Sequence, residues 1–267
     1  MNTFSIFSRK GLLVALVGTP SVLAAYHAWT VYSKIKRVNQ HHSSDSISES
    51  FQQSRTLTEL VNPRGHVSAA DAWHTDLNLP ASTRRVTDEA LLAAFVRGFF
   101  GGTVLALERS ALRLARLNLV SYKALELAHT PQPIWHKSEL SSRRLPSLGS
   151  IIFGAFQISN VQLVEADGPE QTESYIDVVY GSSQGRFAGA HRFSIVREPT
   201  RPGQIRISFE STACNPTDNL PFAPAWAYAF HHVYATLLFR ESVAEVLRLL
   251  ETDLQAAGLF WNDDSGS

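Results

Sequence analysis

One cysteine in 267 residues, Cys214, leaves no second thiol to close an intramolecular disulfide or to build a thiolate metal cluster. Disulfide-stapled scaffolds and zinc fingers are excluded. An excess of one charge sign is also missing. The 24 Lys and Arg residues balance the 24 Asp and Glu, so no basic field concentrates nucleic acid on the surface, and no such partner is expected. There is no Walker loop and no His-Glu-x-x-His pair, so neither a cofactor nor a metal is expected. The only Asn-x-Thr triplet, Asn215 to Thr217, is interrupted by Pro216, which disfavours a long luminal or extracellular domain.

Acidic residues are absent before Asp45, and the first forty residues set the class. From Gly11 to Ser33 the chain runs 23 residues without a formal charge, between Arg9 and Lys10 on one side and Lys34, Lys36 and Arg37 on the other. As a helix this stretch is about 34 Å long, enough to cross a hydrocarbon core of about 30 Å. A single-pass membrane anchor over 1–38 is the expectation, in the endoplasmic reticulum or the mitochondrial inner membrane. Tyr26, Trp29 and Tyr32 sit toward its end, where amphipathic rings suit the headgroup level. Two alternatives stay open: a secretory signal peptide cleaved near Val22-Leu23-Ala24, and an import segment ahead of an inner-membrane anchor.

The composition then turns polar. Residues 39–86 read as a flexible linker followed by an irregular segment, because a stretch rich in His, Ser and Gln buries too little apolar surface to become ordered. Thr87 is a plausible N-cap, with Asp88 and Glu89 in the first turn of a helix. Arg97 to Gly102, "RGFFGG", separates that helix from a second, leucine- and arginine-rich one. Residues 88–128 offer a surface for a protein partner, or a basic face for an anionic membrane.

From Leu148 onward the period changes to two. Five short runs rich in Ile, Val, Phe and Tyr predict an antiparallel meander, with Gly181, Gly185 and Gly189 at the bend of a hairpin. After "NPTDNLPFAP", a stripe through Trp226, Phe230, Val233, Leu237, Val243, Leu247, Leu250 and Leu254 predicts one long helix from about 223 to 257. The expected fold is α+β, an antiparallel sheet gripping a long C-terminal helix, with one domain over 87–258 and a tail over 259–267.

Chemistry is sparse. His191 and Asp177 lie on adjacent predicted strands, and an Asp that orients a His makes a general base. They are the candidate catalytic pair. Tyr180, Glu210, Trp226, His231 and Arg240 are the candidate ligand-binding residues, drawn from the sheet and the long helix.

Tyr180-Gly181 at a strand end, a Gly-containing turn, then Gly189-Ala190-His191-Arg192-Phe193 opening the next strand, then a long helix, resembles a family of uncharacterised bacterial and plant proteins. That family is related to the START-type helix-grip superfamily. The resemblance covers roughly residues 140–250. Where the family has Gly-Glu-Glu-x-Phe, this chain has His and Ala in place of both acidic residues, so no role of those carboxylates carries over. The resemblance implies a cavity between sheet and helix that holds an apolar ligand. Three functions follow as expectations: a membrane-anchored domain binding a lipid or other hydrophobic small molecule, a biosynthetic cyclase, isomerase or hydrolase, and a tethered assembly factor.

Overall fold

The computed structural model of the chain describes residues 24–38, 40–122, 125, 132–164, 173–201, 203–256 and 258. Most of the expected membrane span lies outside them. Residues 24–35 form helix α1, on which Tyr26, Trp29 and Tyr32 are exposed. Among the described residues no single helix is long and apolar enough to cross a membrane.

The architecture is α+β. Strands β1 (His42–Ser44), β2 (Ser68–Asn78), β3 (Ile151–Ile152), β4 (Phe156–Gln162), β5 (Glu173–Gly181), β6 (Ala188–Arg197) and β7 (Gln204–Cys214) form one sheet. All neighbours are antiparallel, in the order β1-β2-β7-β6-β5-β4-β3. The meander from β3 to β7 matches the periodicity. The run Ser150 to Ile158, expected as one strand, splits into β3 and the start of β4, and β4 continues across Ser159 into the next run with a bulge between Ile158 and Asn160.

The stretch expected as a flexible linker followed by an irregular segment holds regular structure instead. It contributes β1, the four-residue helix α2 (Glu49–Gln52), a π-helical turn (Thr56–Val61) and the eleven-residue strand β2. Ile47, Phe51, Leu57, Leu60 and Val61 pack on Val179, Ala188, Ala190 and Cys214, on the face of the sheet away from the long helices. A handful of apolar residues in a polar stretch is enough, because each lands on a sheet already formed by the meander.

The other face carries α3 (Asp88–Gly101), α4 (Ala106–Ala115) and the 32-residue helix α5 (Ala225–Ala256). Thr87 caps α3 as its sequence predicts, accepting from the Ala90 amide at 3.3 Å. Nearly all of α3 is buried between sheet and α5, so its surface is committed to the core. Two close approaches require glycine. A Cβ on Gly98 would sit 2.6 Å from Ser242 Cα, where α3 crosses α5, and one on Gly102 would sit 2.3 Å from Glu241 Oε2. That Glu241 carboxylate, 4 % exposed, accepts from the amides of Thr103 and Val104 at 2.6 and 2.7 Å and so holds the turn into α4.

Helix α5 buries its second half through Phe239, Val243, Val246, Leu250 and Leu254. Its first turns differ from the predicted stripe: Trp226, Phe230 and Val233 face solvent. The positions turned toward the sheet there are Ala227, Tyr228, His231, Tyr234 and Ala235. Small residues among them leave the helix standing off the sheet.

Candidate functional site

That stand-off is a cavity of about 470 Å³ between the sheet, α3, α4 and the first turns of α5. The strand register builds its wall in rows. Residues paired across antiparallel strands share a face, so each row runs across the sheet. The floor row is Ile176, Phe193, Phe209 and Trp73, of which Phe209 reaches the cavity and the others pack beneath it in the core. Above it runs Val178, His191, Ser211 and Asp71, and above that Tyr180, Gly189, Ala213 and Ala69. The middle row is a polar belt between an aromatic floor and a rim.

Tyr180 packs over Gly189, where a Cβ would lie 2.3 Å from the ring, so this glycine makes room for an aromatic side chain. Burial is the main reason the Tyr180 hydroxyl resists ionisation. Its ring centroid is 4.6 Å from that of His191, which is also 5.1 Å from Phe209, 5.5 Å from Phe99 and 6.2 Å from Phe156. His191 thus sits in a box of aromatic rings. Burial, and secondarily the nearby His231, holds its pKa well below the ordinary histidine value, so the ring is neutral.

Asp71 closes the belt from β2. His231 and His232 of α5 both turn Nδ1 toward it, at 3.2 and 3.4 Å. Burial alone would raise the Asp71 carboxyl, but the two histidine hydrogen bonds outweigh it and hold the group below the ordinary carboxylate range. Next along β2, Trp73 stacks on Phe209 at 5.4 Å and donates from Nε1 to Thr236 at 3.0 Å, fastening the strand to α5.

Three of the expected site residues therefore meet: Tyr180, His191 and His231 all line the cavity. The others do not. Asp177 pairs with Arg192, one position beyond the Val178–His191 pair, so it projects from the opposite face and cannot orient His191. Arg192 donates to it twice, at 2.7 and 2.9 Å, and Thr56 donates at 2.8 Å. Burial works against the Arg192 charge, yet the hydrogen bonds and charge of Asp177 more than offset it and raise the guanidinium pKa. Glu210 lies in the same back-face row, accepting from Ser48 Oγ at 2.8 Å. This network pins the 47–61 segment to the sheet.

Arg240 points away from the cavity as well, donating to the Val38 and Ile35 carbonyls at 2.7 and 3.1 Å and capping the end of α1. Trp226 is 74 % exposed at the start of α5, outside the cavity lining. Asp71 escaped the sequence reading. Its one signal is the alternation of Asp71, Trp73 and Thr75 in "DAWHT", which marks a strand face.

Gly181 to Gly185 spells Gly-Ser-Ser-Gln-Gly, the spacing of a nucleophile elbow. It lies in the loop of the β5–β6 hairpin, where Ser182 N donates to Phe187 O at 3.0 Å. An elbow needs a strand-to-helix turn, so Ser183 is a loop serine. Cys214 is buried, and burial pushes its thiol up to about 11, out of the range of a reactive thiolate. Among the described residues no three His, Cys, Asp or Glu side chains converge as a metal site.

Fold and site together define an α+β domain with an aromatic-walled cavity between an antiparallel sheet and its C-terminal helix. Comparison with protein families, with curated proteins and with solved structures finds no match to this chain.

Proposed function

We propose that this protein is a membrane-tethered domain of the helix-grip type that binds a lipid or other hydrophobic small molecule between its sheet and its C-terminal helix. The observation that carries the proposal is the cavity of about 470 Å³, within the range of small-molecule sites and walled mostly by aromatic and aliphatic side chains. Its mouth supports the membrane part. Leu119 and Phe187 both line the cavity and are exposed, and Leu107, Leu114, Trp226 and Phe230 stand exposed on the adjoining helices α4 and α5. An apolar rim, on a chain whose sequence also carries an uncharged run of membrane-spanning length, suits a molecule taken up from lipid.

The test is saturable binding of the uncharged fluorophore phenylnaphthylamine to the purified full chain. Wild type is expected to bind it, and Ala227→Trp, which fills the cavity from α5, to lose most of that binding. Absence of saturable binding to wild type, or equal binding by the variant, refutes the proposal.

A second reading, an enzyme acting on an apolar small molecule, draws on one observation, the Asp71–His231 contact at the cavity wall. It replaces the Asp177–His191 pair. Turnover of a bound compound that His231→Gln abolishes while leaving fluorophore binding intact would favour it.

A further inference from the structure

The polar belt holds an imidazole whose hydrogen-bonding capacity the protein leaves unused. His191 is 7 % exposed, lines the cavity, and its Nδ1 is buried with no hydrogen-bond partner. Among the described residues no hydrogen bond reaches its ring. Apart from Ser211, its neighbour on β7, which makes no hydrogen bond to it, the groups around it are rings, from Tyr180, Phe209, Phe99 and Phe156.

A neutral imidazole carries one N–H donor and one lone pair. Buried polar groups are as a rule paired; with Nδ1 closed off among the rings, Nε2 is the ring nitrogen left to meet a ligand atom in the cavity. The partner has to accept a hydrogen bond. An uncharged acceptor suits the site, because the aromatic box would strip a carboxylate of water at high cost, and Asp71, in the same row two strands away, adds like charge rather than a counter-charge.

Resting on the reading of the cavity as an apolar-ligand site, we infer that the ligand carries an uncharged oxygen acceptor, in its simplest form a carbonyl, seated on the His191 N–H. Its apolar remainder lies against Phe99, Phe156 and Phe209. His191 is then the residue that orients the ligand and distinguishes an oxygenated molecule from a hydrocarbon of the same shape.

Two matched probes test this: pentylbenzene and valerophenone, which differ by a CH₂ against a C=O. Each is competed against phenylnaphthylamine on the full chain held in amphipol, in wild type, His191→Phe and His191→Gln. Dehydrating the carbonyl costs the same in all three proteins, so the readout is the change in the ratio of the two affinities. His191→Phe is expected to shift that ratio about tenfold toward the hydrocarbon, and His191→Gln, which keeps an N–H donor, to restore part of it.

An unchanged ratio overturns the inference while leaving the cavity reading standing; failure of both probes and the fluorophore to bind wild type overturns both. A wild-type measurement covers the case in which a variant does not fold. The carbonyl stretch of bound valerophenone should fall below its position in hexane. A stretch at the hexane position, or tighter binding of phenylvalerate than of valerophenone, refutes the inference.

Discussion

Lowering the pH should cost this protein stability through one ring. His191 is held neutral in the fold, first by burial and then by the proximity of His231, with its pKa well below the ordinary value. In the unfolded chain it titrates near 6.5. Between those two values the unfolded chain binds one proton more than the folded one, so stability falls as pH drops through about 6.5. Each pH unit below that point costs about 1.4 kcal/mol, and a move from about pH 7.5 to about pH 5 costs about 2 kcal/mol from this residue alone.

His191→Phe keeps a ring in the aromatic box and removes the titration. Urea denaturation of both proteins, followed by tryptophan fluorescence at the two pH values, isolates the term, because the other titrating groups are common to both. Wild type should lose about 2 kcal/mol more than the variant, a midpoint difference of roughly 1 M urea. Parallel losses in the two proteins would show that the folded ring accepts a proton, and would refute the account of His191 as a neutral, dry group.

Three other perturbations follow from the same geometry. Arg192→Met leaves Asp177 buried without its partner and should cost about 3 to 5 kcal/mol in thermal or chemical denaturation; limited proteolysis should then cut within 47–61, the segment its network holds down. Gly189→Ala places a methyl where the Tyr180 ring lies, so Tyr180 must move, at a cost of about 1 to 3 kcal/mol read by thermal denaturation. Asp71→Asn weakens the clamp between β2 and α5 by about 1 to 2 kcal/mol, seen as faster amide exchange in the first turns of α5. Because the Asp71 pKa is depressed, the wild-type advantage is present above about pH 4 and lost as pH falls below it.

The local features were legible in the sequence because they are local. The Thr87 cap, the alternating strands and the 32-residue helix each depend on neighbours within a few positions, whereas the break expected over Arg97 to Gly102 comes only at its end, since α3 continues to Gly101. Strand β2 was not legible. "SAADAWHTDLN" holds one β-branched residue, Thr75, and becomes a strand because β7 offers it a full ladder of partners from Ser68↔Cys214 to Asn78↔Gln204.

The candidate site divided along a finer line. Asp177 and His191 lie on neighbouring strands as expected, but the hairpin that pairs Tyr180 with Gly189 also pairs Val178 with His191 and Asp177 with Arg192. One residue of register separates the cavity face from the back face. Trp226, Phe230 and Val233 failed for a similar reason: periodicity finds the apolar stripe of a helix, not the direction in which the sheet will be met.

The position of β2 beside β7 also governs when the molecule can be finished. The wall that carries Asp71 is made near the start of the domain, yet its hydrogen-bonding partner emerges 146 positions later, at the Ser68↔Cys214 pair. Closing so long a loop is slow, and a ribosome adds residues at about 5 to 20 per second, so the edge of β2 that β7 will cover waits for many seconds without its partner. Helix α5 is synthesised later still. The chamber between sheet and α5 therefore closes only after β7 and α5 have both been made, however early its β2 wall is laid down.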